Sequence, residues 1–144
     1  MKTQFAMKSL PWLAACTAIL HTTFGTAEVH TPLLRSTLLP EVKLLLYACW
    51  HIVTVLLVGS SIILFMAVYR GRSLSWTVAA RFVGAVWIAS GHVFICVALA
   101  FATPAMLLTL GQWILLIPIG CLALFGRYER GDQEVAEAES DPRE

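Results

Sequence analysis

Two histidines, His51 and His92, and a glutamine, Gln112, stand within otherwise apolar stretches, with Thr54 and Ser90 close by along the chain. An imidazole in a hydrocarbon setting is costly, so it calls for a hydrogen-bond partner, a cavity or a ligand. Histidine offers three kinds of chemistry there: hydrogen bonding between helices, axial ligation of a haem iron, or proton and metal relay. The four cysteines, Cys16, Cys49, Cys96 and Cys121, lie in separate apolar segments without a C-x-x-C pair. That spacing argues against a zinc site or a disulfide framework, and they read as small buried hydrophobes. No nucleophile stands with a base and an orienting acid, so hydrolytic chemistry is disfavoured and no catalytic residue is assigned.

The stretches that must position these groups are long and uncharged. Leu44 to Val68 holds 25 residues without Asp, Glu, Lys or Arg, enough at ~1.5 Å per residue to cross a ~30 Å hydrocarbon core with some tilt. Further apolar runs follow from Phe82 to Phe101 and from Leu107 to Phe125, the last containing Pro118, which should kink it. Across the 144 residues, 58% are hydrophobic and 13% charged, and the mean hydropathy is +0.77. This is the profile of an integral membrane protein. The 87 residues from Val42 to Tyr128 contain no carboxylate, which excludes paired-carboxylate acid/base chemistry in the membrane. A net charge of +1 with scattered basic residues gives no case for nucleic acid.

The expected fold is therefore all-α: a bundle of three transmembrane helices over residues 44–125, plus an N-terminal signal or anchor helix, making four helices in the full-length chain. Residues 1–27 carry Lys2 and Lys8, an apolar run from Leu10 to Leu20, and Gly25-Thr26-Ala27. They read either as a signal peptide cut after Ala27 or as a retained signal anchor. Leu13-Ala14-Ala15-Cys16 also has the look of a lipoprotein box, although Pro11 interrupts the short stretch before it. Residues 28–43, with Pro32 and Pro40, are expected to form an extracytoplasmic loop, and Pro40 and Glu41 suit the first turn of the helix that follows. Tyr69-Arg70-Gly71-Arg72-Ser73 reads as a basic turn and Ala102-Thr103-Pro104-Ala105 as a tight connection. Residues 126–144 form an acidic tail with seven carboxylates and no apolar run to fold around. The positive-inside rule places Lys2, Lys8, Arg70, Arg72, Arg81, Arg127 and Arg130 in the cytoplasm, against Arg35 and Lys43 outside. The C-terminus is then cytoplasmic.

Laying the spans antiparallel puts His51 and Gln112 within ~2 Å in depth and His92 ~8 Å deeper, a difference that helix tilt can cover. Ala48, His51, Val55 and Gly59 share one helical stripe, and Gly84, Gly91 and Ala98 recur every seven residues in the next helix, with His92 on its shoulder. Both histidines are accordingly expected to face the bundle. Three readings of this layer stand side by side. His51 and His92 can act as polar glue with Thr54, Ser90, Gln112 or backbone carbonyls. They can bind a b-type haem as paired axial ligands, with Lys43 or Arg35 for the propionates. They can also relay protons or a metal ion, although no carboxylate extends that path.

The run Leu44-Leu45-Leu46-Tyr47-Ala48-Cys49-Trp50-His51-Ile52-Val53-Thr54, with Gly91-His92 and Gly111-Gln112-Trp113 downstream, resembles a class of small uncharacterised bacterial inner-membrane proteins. That class places a Trp-His-x-x-Thr motif in an early transmembrane helix and a Trp near the start of the last. The resemblance covers roughly residues 39–126 and implies a fold and a location, the bacterial cytoplasmic membrane, but no activity. The expectation from all of this is a non-enzymatic accessory or structural membrane component. Its partners would be the lipid bilayer and another membrane protein, or a second copy, met through small-residue helix faces. A b-type haem subunit using His51 and His92 is the alternative.

Overall fold

The computed structural model describes residues 2–70, 74–101, 103 and 105–128. Residues 71–73 of the expected basic turn at 69–73, residues 102 and 104 of the connection, and the acidic tail from residue 129 onward lie outside the described residues. The elements in order are α1 (Lys2–Gly25), a π-helical turn (Thr26–His30), α2 (Thr31–Arg35), α3 (Pro40–Tyr69), α4 (Leu74–Phe101), α5 (Met106–Thr109) and α6 (Trp113–Phe125). Among the described residues there is no strand, so the all-α expectation holds.

Two of these helices, α3 with 30 residues and α4 with 28, are long and apolar enough to cross a membrane. The third expected span is divided. Its chain turns at Leu110, where φ is −92° and ψ is 51°, and α6 keeps 13 residues, about 20 Å of helix. The Trp113 indole donates to the Leu107 carbonyl at 2.9 Å and ties the α5 turn to the start of α6. Pro118 lies within α6 without ending it.

The bundle consists of two tightly packed helix pairs. In the first, α1 lies against α3, with Leu10 and Ala14 fully buried. Near one end the Trp12 Nε1 donates to the Tyr69 hydroxyl at 3.2 Å, and that hydroxyl donates to the Lys8 carbonyl at 3.1 Å. Phe65 meets the Trp12 ring edge-on. In the second pair, α4 and α6 meet backbone to backbone. A Cβ on Gly84 would stand 2.7 Å from the Gly120 carbonyl oxygen, and one on Gly120 would stand 2.8 Å from that of Gly84. The two pairs share one apolar core in which Met7, Leu10, Leu57, Leu64, Val83, Trp87, Leu116 and Ile119 come together. The expected α4 stripe is confirmed, since Gly84, Gly91 and Ala98 are all buried.

The stripe expected on α3 is not the one that packs. Ala48, His51 and Val55 are exposed, and a Cβ on Gly59 would meet nothing within 4 Å. The packed face carries Tyr47, Trp50, Thr54, Leu57, Ser61, Leu64 and Val68, all half-buried or buried. These alternate by three and four residues, the spacing of a continuous helix seam. The packed face of α3 thus mixes large rings and leucines with Thr54, Ser61 and the buried Ala67.

The segment expected as a loop over residues 28–43 is helical through Arg35. Pro32 is accommodated because the preceding turn widens: the Thr31 N–H bonds the Thr26 carbonyl five residues back, and the Thr31 hydroxyl donates to the same oxygen at 2.8 Å. A π turn of this kind spares the carbonyl that a proline ring would otherwise strike. The break comes at Ser36, with ψ of 160°. Pro40 and Glu41 then occupy the first turn of α3, as the sequence suggested.

Candidate functional site

Three elements bring polar rings to one end of the α1–α3 pair. The last turns of α1 supply His21, the π turn supplies His30, and the start of α3 supplies Tyr47, Trp50 and His51. Spacings of three and four along α3 place the last three on adjoining parts of the helix surface. His21 stacks on Trp50, with ring centroids 4.0 Å apart and planes 20° from parallel. His30 lies 5.2 Å from Tyr47, 6.1 Å from Trp50 and 6.0 Å from His51, centroid to centroid. Tyr47 meets His51 edge-on at 4.5 Å. Gly25 makes room for this packing, because a Cβ there would run into the Trp50 ring. The Thr54 hydroxyl donates to the Trp50 carbonyl at 3.1 Å.

The cluster is an aromatic and imidazole junction rather than a preformed ligand cage. Among the described residues, no three His, Cys, Asp or Glu side chains converge so as to hold a metal ion. The Nε2 of His21 is buried, with the imidazole stacked on the Trp50 ring. Lys43, considered for haem propionates, directs its Nζ to the Leu34 carbonyl at 3.3 Å, and Arg35 is exposed.

The residues of the expected polar layer are placed apart from one another. His51 is exposed, and its ring neighbours are His30 and Tyr47, both from the α1–α3 half. His92 is exposed on α4, with Nδ1 2.8 Å from the Ile88 carbonyl. A carbonyl oxygen only accepts, so Nδ1 is the donor in this contact. No ring contact joins His51 to His92 among the described residues. Ser90 is half-buried on α4, and Gln112 is exposed in the turn before α6, where its backbone carbonyl accepts from the Leu116 N–H at 3.0 Å.

His21 and His30 are the partners that sequence reasoning missed. Both lie in stretches whose composition reads as a leader and a loop. A usable signal was present: three of the four histidines fall between residues 21 and 51, in a segment short enough for an antiparallel helix pair to fold them together.

No protein-family model, no curated protein and no solved structure matches this chain.

Proposed function

We propose that this protein is a small integral membrane component with a structural or accessory role. It crosses a bacterial cytoplasmic membrane with α3 and α4, retains α1 as an anchor helix and keeps its C-terminus in the cytoplasm. The observation that carries the membrane reading is the exposure of its two long apolar helices. Windows of mean hydropathy 2.5 in α3 and 2.1 in α4 are only 17% and 28% buried. A soluble core helix of that hydropathy would be covered by protein; here lipid is the fitting cover. Residues 106–125, with α5 and α6 joined by a turn, supply the third membrane segment. Retention of α1 draws support from its share of the common core and from the fit of Gly25 and His21 to Trp50. Reporter fusions after Arg70 and after Tyr128 should both report cytoplasm, and an external signal at either would overturn the orientation.

The b-type haem reading keeps one favourable feature. The bond from His92 Nδ1 to a backbone carbonyl is the arrangement that readies Nε2 for iron. Against it, His51 is engaged by His30 and Tyr47 on the other helix pair. Protein purified in detergent should be colourless, with no Soret or α band in the reduced-minus-oxidised spectrum. Bands abolished by both His51→Ala and His92→Ala would reverse that reading.

A further inference from the structure

We propose that the groove between α1 and α6 holds an acyl chain of an anionic phospholipid, with the lipid phosphate on Arg127. The groove has a volume of about 670 Å³ and is walled by Ala6 and Met7 of α1 and by Pro118, Cys121, Leu122 and Phe125 of α6. That is within the ~300–1,000 Å³ of sites that take small ligands. Its walls are mainly apolar, and its one charged lining residue is Arg127 just beyond the end of α6. Such a lining suits a hydrocarbon chain with an anionic head and disfavours a polar metabolite. The lining residue Phe125 is 76% exposed, so the groove is open to the surroundings of the bundle, where the membrane reading puts lipid.

Charge at this end selects the head group. Lys8, Arg70, Arg81 and Arg127 are all exposed, and their segments lie at the same end of the bundle. The Tyr69 hydroxyl reaches the Lys8 carbonyl, Gly126 abuts Met7, and the Arg81 charge acts on Tyr128. The carboxylates among the described residues, Glu28 and Glu41, belong to the opposite end. Basic grooves between helices on the cytoplasmic side are suited to anionic lipid phosphates. The acidic residues from Glu129 onward follow Arg127 in sequence and are the competing counter-charge.

This proposal rests on the membrane reading, and one experiment separates the two. The full chain is placed in nanodiscs with phosphatidylglycerol bearing a photoactivatable acyl chain, and labelled peptides are mapped by mass spectrometry. Labelling of the exposed α3 surface around Leu44 and Leu45 reports insertion by itself. The expected result is strong labelling of peptides around Met7 and Cys121, competed by unlabelled phosphatidylglycerol but not by phosphatidylcholine. Arg127→Gln should weaken that competition about fivefold, and Cys121→Phe should reduce groove labelling by the phosphatidylglycerol probe while leaving α3 labelling unchanged. Labelled α3 without groove labelling, or competition indifferent to head group, overturns the lipid site and leaves the membrane reading intact; absence of α3 labelling overturns the membrane reading. If Arg127→Gln matters only after deletion of residues 129–144, the tail is the occupant of Arg127 and the lipid proposal fails.

Discussion

The imidazole of His21 lies on the indole of Trp50, 4.0 Å between centroids, and Gly25 is the residue that lets Trp50 reach it. One indole thus closes the α1–α3 pair from two directions, against a ring one turn before Gly25 and against the bare backbone of Gly25 itself. The coupling can be measured. Gly25→Ala should destabilise the fold by about 1–2 kcal/mol through overpacking. In a Trp50→Ala background the same change should cost almost nothing, because the atoms it strikes are gone. Equal costs in both backgrounds, read from denaturation in detergent, would show that the two residues do not touch.

The two glycines at the α4–α6 crossing should behave unlike the glycine on α3. Gly84→Ala and Gly120→Ala each place a methyl within 3 Å of the opposing backbone, so each should cost about 1–3 kcal/mol or separate the helices. Gly59→Ala enters open space and should be neutral or slightly stabilising. Thermal denaturation of the three variants side by side tests this, and an unfavourable Gly59→Ala would mean that the face is packed against something else.

Tyr128, outside the membrane-spanning helices, gives a pH signature. Burial pushes its phenol up to about 12, and the Arg81 charge pulls the other way; the hydroxyl donates to the Ala123 carbonyl at 2.7 Å. Its folded pKa lies above the ordinary value of ~10. The folded state then holds the proton that the unfolded state gives up, so stability from this group is flat below pH ~10 and falls between ~10 and ~12. Spectrophotometric titration should show one tyrosine ionising late. Tyr128→Phe should remove that phase, and Arg81→Gln should push it later still. A late phase that survives Tyr128→Phe would assign it elsewhere.

Much of this architecture was readable from the chain, and the failures have specific causes. Leu44 to Val68 announced α3 because charge is absent, and Gly84, Gly91 and Ala98 announced the α4 seam because small residues repeat every seven. The same preference for small residues misled on α3, where Ala48 and Gly59 pointed away from the seam that Tyr47, Trp50 and Leu57 build. Pro32 read as a helix breaker, since a π turn that absorbs it has no signature in single-residue propensities. The partners of His51 stayed hidden for a related reason. A segment with leader-like composition was set aside, although its helix supplies His21 and the turn beyond supplies His30.

The central claim for this protein is that α1 belongs to a membrane-embedded bundle. The most direct measurement is the intact mass of the protein recovered from membranes washed with alkaline carbonate. The expected result is a chain of about 15.8 kDa retained in the membrane pellet. A species beginning at Glu28, or release of the protein into the wash, would contradict it.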